Sequence, residues 1–188
     1  MDRKDVREGV NGEFKDRITG RPDRRAYGMG LGIILLDDVY PGFPGDVRNA
    51  SAWPFPVQYE VAEGVDIYRL VDPANSDRDP CFEPILKAAK KLERLGCRAI
   101  AAECGFFCYF QRSVADQLTI PVFMSSLLQV PLAAQTIAKD RTVAILTGSP
   151  DTLTDAHLRA VGISNMERIR LHNFYDLCGV DYAEFHKL

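Results

Sequence analysis

The residues of this 188-residue chain whose types could do chemistry gather at a few places. The first is "CRAIAAECGFFCYFQ", Cys97 to Gln111. An apolar run leads into Glu103 and Cys104, and a glycine and an aromatic segment follow. A thiol at the end of a buried strand and the start of a helix is placed to act as a thiolate. The free N–H donors and partial positive charge of a helix amino terminus lower its pKa from the usual value of about 8.5. The same donors can hold an anionic carboxylate. Three other apolar runs end in polar groups. Asp37 and Asp38 follow "LGIILL", Ser125 and Ser126 follow "IPVFM", and Thr147, Gly148 and Ser149 follow "TVAILT". One thiol, several hydroxyls and glycine amides are thereby expected on a single rim.

Other patterns carry less. Cys104 and Cys108 form a C-x-x-x-C pair expected on one helical face, with core packing as the plain role of Cys108 and a redox partner to Cys104 as the other. A zinc site wants more ligands, and no histidine lies near in sequence. His157, His172 and His186 fall in no metal-ligand spacing, so surface or cap roles are expected. The glycines of "YGMGLGIILL" precede a strand, whereas a dinucleotide fingerprint needs them at the helix entrance after it. "IILLDD" with "VAILTGS" suggests a haloacid dehalogenase, but the second aspartate of that pattern falls on Val39.

The elements that must position these groups follow from periodicity. Leu31 to Leu36 reads as a buried strand. The stretch 37–56, rich in proline and glycine, reads as a long loop of the kind that is often functional. "VQYEVA" and "VDIYRLV" read as strand material. Phe82, Ile85, Leu86, Ala89 and Leu92 fall at helical spacing, and Gly96 ends that helix. "CRAIAAE", "IPVFM", "TVAILT" and "ERIRLH" read as strands. "FFCYFQRSVADQL" reads as a helix, as does "SLLQVPLAAQTIA", kinked or restarted at Pro131. A further helix is expected after Ser149-Pro150, with Ser149 as its N-cap. Alternating strands and helices predict an α/β fold, a parallel sheet with helices on both faces. In such sheets ligands bind beyond the carboxyl ends of the strands.

Composition bounds the rest. The chain is 46% hydrophobic and 26% charged with a net charge of −3, the proportions of a globular protein without the basic surface that nucleic acid needs. No apolar run reaches the roughly 18 residues that span a bilayer. The polar start carries no secretory signal, and five irregularly spaced cysteines read as reduced thiols of a cytoplasmic protein. Residues 1–25, dense in both charges, read as a mobile arm. Two α/β units are expected, over 26–130 and 131–188.

With these elements in place, the chain resembles the aspartate/glutamate/hydantoin racemase superfamily. The resemblance is carried by "GLGIILLDDVYPGFPGDVRNASAWPFPVQYEV", "AIAAECGFF", "IPVFMSSLLQVP" and "VAILTGSPDTLT", within about residues 28–165. It implies two similar flavodoxin-like lobes with the site between them. Cys104 then matches the first catalytic cysteine, and Gly105 and Phe106 supply backbone amides to a substrate carboxylate. Thr147 and Ser149 match a carboxylate-binding turn of the other lobe. Asp37 takes the place of a polar residue that orients the thiol or the substrate amine. The implied activity is racemisation or epimerisation of a small amino acid or hydantoin, with a thiolate as acid/base and no pyridoxal phosphate or other cofactor. The family also implies homo-oligomers.

Two-base racemisation needs a second thiol on the opposite face of the carbon. Cys178 follows no apolar strand, and the chain stops at Leu188 before the strand that would carry the family's second cysteine. The second lobe is therefore expected to be incomplete. A one-thiol decarboxylase or cis-trans isomerase of a dicarboxylate, or a carboxylate-binding remnant, are the alternative readings.

Overall fold

The apolar run at Leu31–Leu35 forms β1, the strand around which the larger sheet is built. The computed structural model describes residues 26–71 and 79–174. Strand β2 (Val57–Val61) lies on one side of β1, and β3 (Ala99–Ala102) on the other, followed by β4 (Val122–Phe123). All pairings are parallel, in the order β2-β1-β3-β4. Gly32, Ile33 and Ile34 are buried in succession, as a strand covered on both faces requires. The predicted α/β fold is the one observed.

Between β2 and β3 the chain forms the short helix α1 (Ile67–Val71) and then the long α2 (Asp79–Leu95). Ile85, Leu86, Ala88, Ala89 and Leu92 make the buried stripe of α2, and Lys87 and Lys91 point outward to Glu63 and Glu60. The helix approaches β1 closely: a Cβ on Gly32 would lie 2.9 Å from Leu92 Cβ and 3.1 Å from Cys97 Sγ. Gly96, at φ 97°, stops the helix, in the left-handed conformation that favours glycine.

Beyond β3 the chain turns through a 3₁₀ segment, Gly105–Phe110, into α3 (Gln111–Ala115). After β4, a second 3₁₀ turn at Ser126–Gln129 leads into α4 (Val130–Thr136), with Pro131 in its first turn. A second, two-stranded parallel sheet pairs β5 (Val143–Thr147) with β6 (Ile169–Asn173), and α5 (Asp155–Ala160) connects them. Arg168 ties this sheet to α4 by donating to the carbonyls of Ala134, Ala138 and Arg141.

Several boundaries differ from the sequence reading. "VDIYRLV" is helical over Ile67–Val71, since its apolar residues bury one side only, through Leu70. The helix expected from Ser149 starts at Asp155 instead, with Thr154 as N-cap, because the Thr154 N–H finds Nδ1 of His157 at 3.2 Å. Two buried clusters form, one on each sheet. Phe106 packs against both. The charged arm 1–25, Cys178 and His186 lie outside the described residues.

Candidate active site

The order β2-β1-β3 means that the chain leaves β1 toward one edge of the sheet and returns on its other side. In α/β sheets such a reversal is where ligands bind, beyond the carboxyl ends of the strands. Asp37 and Asp38 follow β1, and Cys104 follows β3 two residues beyond its last paired residue.

Cys104 is half-buried, at extended backbone angles, and caps the Gly105–Phe110 turn. The sulfur makes no capping hydrogen bond to the turn that begins at it, and the nearby Phe106 N–H favours the thiolate. The pKa moves the other way from the sequence expectation. Burial pushes the thiol up, to about 11, and the charges of Glu103 and Asp38 add to that rise against the Phe106 N–H. Six residues of 3₁₀ turn present few free amides, whereas desolvation acts on the whole sulfur.

The structure brings Cys104, Gly105, Phe106 and Ser125 into one unit. A Cβ on Gly105 would stand 3.6 Å from Ser125 Oγ. Ser125 is itself buried, and its hydroxyl accepts from Leu127 N–H at 3.2 Å. Ser126 is exposed. Thr147, Gly148 and Ser149 close on one another, with Thr147 Oγ1 accepting from Ser149 N–H at 3.4 Å. The helix that follows them, α5, meets the turn after the thiol: its His157 ring lies edge-on to Phe106 at 5.2 Å and to Tyr109 at 5.8 Å. Asp37, expected to orient thiol or substrate, is exposed, and its Oδ2 accepts from Gly64 N–H at 2.7 Å. Asp38 is the aspartate whose charge reaches the sulfur.

Cys104 and Cys108 do not share a face. Cys104 packs against the first cluster and Cys108 is buried in the second. A 3₁₀ turn advances about 120° per residue, so residues four apart diverge. Among the described residues no group of three His, Cys, Asp or Glu is placed to hold a metal. No described helix is long and apolar enough to cross a membrane.

Three participants escape the sequence reading. Glu103 is buried, and Arg48 and Tyr40 reach it from the loop after β1. The Glu103 side chain is 1% exposed and pairs with Arg48 Nε at 2.8 Å. One oxygen accepts from Leu36 N–H, and Tyr40 OH donates to the other at 3.3 Å. Burial pushes the Glu103 carboxyl up, opposed by the Leu36 N–H, Arg48 and Tyr40. Tyr40 is pushed up to about 12, by burial and then by the Glu103 charge. A carboxylate closing the apolar run "AIAA" was the available signal. His157, expected at the surface or in a cap, is fully buried and serves α5 as a cap partner.

No protein-family model matches the chain. It is similar to dimethylsulfoniopropionate lyase 3 of Emiliania huxleyi, 33% identical over 123 residues that cover 65% of this chain and 32% of that protein. Dimethylsulfoniopropionate lyase 5 of the same organism is 32% identical over 140 residues, covering 73% and 27%. The dimethylsulfoniopropionate lyase of Durusdinium sp. clade D is 29% identical over 129 residues, covering 68% and 42%. The match spans about a third of the length of the first of these relatives. Among solved structures, an aspartate racemase homologue from Pyrococcus horikoshii superposes with a TM-score of 0.45 at 16% identity, covering 78% of this chain and 66% of that one.

Proposed function

We propose that this chain is a member of the aspartate/glutamate racemase superfamily and moves a proton at the carbon beside a substrate carboxylate, with the Cys104 thiol as the acid/base. The observation that supports this reading is the position of Cys104 at the strand-order reversal, at the start of the Gly105–Phe110 turn. Gly105, Phe106, Ser125 and Ser126 would receive the carboxylate, while Thr147, Gly148 and Ser149 offer a second anion-binding turn. Donors aimed at the carboxylate stabilise the enediolate-like charge that develops as the α-proton leaves. The raised thiol pKa makes the thiolate the minor form near neutral pH, so the base must be generated as substrate binds.

What happens to the carbanion divides the readings. If the β carbon bears a leaving group, the electrons of the broken Cα–H bond form a Cα=Cβ bond and the leaving group departs with the pair that held it. The proton stays on Cys104. This elimination needs one base, and the names of the curated relatives, lyases of dimethylsulfoniopropionate, favour it. The other outcome is racemisation of an aspartate- or glutamate-like amino acid, in which a second group returns a proton to the opposite face.

The test is incubation in deuterated buffer with dimethylsulfoniopropionate and, separately, with L-aspartate and L-glutamate. Dimethyl sulfide and acrylate support elimination. Deuterium at Cα with loss of optical activity supports racemisation. Cys104→Ser is expected to abolish either with the fold intact, and turnover that survives it overturns the reading.

A further inference from the structure

Proton transfer at Cys104 makes no use of Glu103, and the neighbouring carboxylate opposes it by raising the thiol pKa. Its contacts nonetheless use both oxygens. One accepts from Leu36 N–H, the first residue past β1, and the other meets Tyr40 OH and Arg48 Nε. Arg48 in turn donates through Nη2 to the carbonyls of Asp38 at 2.7 Å and Leu36 at 3.3 Å, and its guanidinium lies 4.1 Å from the centre of the Tyr40 ring. The segment carrying Arg48 is braced from behind. Asp46 Oδ1 accepts from Arg48 N–H at 2.7 Å, while Trp53 Nε1 and Tyr59 OH both donate to Val47 O. A surface ion pair would hold little. In this one the Glu103 side chain is buried with both oxygens partnered, the condition under which removing one partner is costly.

We propose that Glu103 is a positioning residue for the Cys104 reaction. With Arg48 and Tyr40 it latches the loop after β1 beside the thiol and fixes one wall of the substrate cleft. The same loop lines an open cleft of about 460 Å³ through Asp38, Val39, Tyr40, Gly42 and Arg48, a volume in the range of small-molecule sites, and Cys104 follows Glu103 just outside that lining. The inference rests on Cys104 being the proton-transferring group. It gives the loop the role of holding a small carboxylate substrate against the rim, where a loose loop would leave it to water.

The test compares the full chain with Glu103→Gln, Arg48→Met and the double variant. Two readouts need no turnover: proteolytic nicking between residues 39 and 49, and alkylation of Cys104 by iodoacetamide, followed by peptide mass mapping. Each single change is expected to raise nicking about tenfold, and the double change no further, because one latch is broken either way. Arg48→Met decides the alkylation arm. There the rate with iodoacetamide is compared with that of a bulkier maleimide, because a change in thiolate fraction scales both alike and only an opened loop favours the bulkier reagent. If a single variant fails to fold, the double variant removes both charges together and remains readable. Unchanged nicking and alkylation alongside a lowered unfolding midpoint mean a purely structural pair and overturn the proposal, as do additive effects in the double variant. Turnover that survives Cys104→Ser overturns the base assignment instead, so the two failures are told apart.

Discussion

The Nε of Arg48 lies 2.8 Å from a carboxylate oxygen of Glu103, whose side chain is 1% exposed, and the next residue after that glutamate is the thiol of the site. The end of β3 therefore carries two ionisable groups with different roles. Glu103 turns to the loop after β1, and Cys104 packs against the first core cluster. The energetic consequences of this division can be measured separately.

Removing Arg48 leaves Glu103 buried without its cation. Arg48→Met is expected to destabilise the fold by about 3 kcal/mol, and Arg48→Met with Glu103→Gln by clearly less, because no uncompensated charge then remains. Urea unfolding of the three proteins checks this. A double variant as unstable as the single one contradicts it.

The thiol sets a pH dependence whose sign is fixed by its shift. The folded-state pKa of Cys104, about 11, stands above the ordinary thiol value of 9.0. Folding is therefore favoured by the protonated thiol below pH 9, and that contribution is lost as pH rises through 11. Two pH units correspond to at most about 3 kcal/mol. Denaturant midpoints measured from about pH 8 to about pH 11.5 should fall less steeply for Cys104→Ala than for the parent. Equal slopes would place the cause in other groups.

Gly32 is fixed by the approach of α2 to β1. An alanine there would bring its Cβ to 2.9 Å from Leu92 Cβ, with Cys97 Sγ and Ile100 Cδ1 each at 3.1 Å. Overpacking of this kind costs roughly 1–3 kcal/mol. Thermal unfolding of Gly32→Ala should show the loss, and a neutral result would mean that α2 slides without penalty.

His157 joins α5 to the turn that carries the thiol. Its ring is fully buried against Phe106 and Tyr109, and its Nδ1 takes the Thr154 N–H. His157→Ala removes packing and a cap together and should cost about 3 kcal/mol. The Phe106 amide resonance should shift in the same variant. An unchanged Phe106 signal would show that α5 does not support the turn.

The apolar runs and the helical stripe of α2 were legible because they are local. "LGIILL", "AIAAE" and "TVAILT" are strands, the last with Ala144 and Leu146 exposed, and Gly96 stops α2 through its own backbone freedom. The same locality explains the misreadings. "VDIYRLV" has apolar β-branched residues at both ends, yet only one side is buried, and the chain coils there instead of pairing. The helix after Ser149-Pro150 was displaced to Thr154 by a contact with the imidazole of His157, which a dipeptide pattern does not contain.

The sequence by itself determined that Cys104 stands at the end of a buried strand, that a long loop follows β1, and that strands and helices alternate. Each follows from side-chain periodicity and turn chemistry within a few residues. Only the tertiary structure decided the strand order that sets β1 beside β3, the capture of Glu103 by Arg48, and the direction of the thiol's pKa. Those depend on which distant groups surround a charge and how much water they displace. Desolvation is a property of the assembled surroundings, and no stretch of sequence carries it alone.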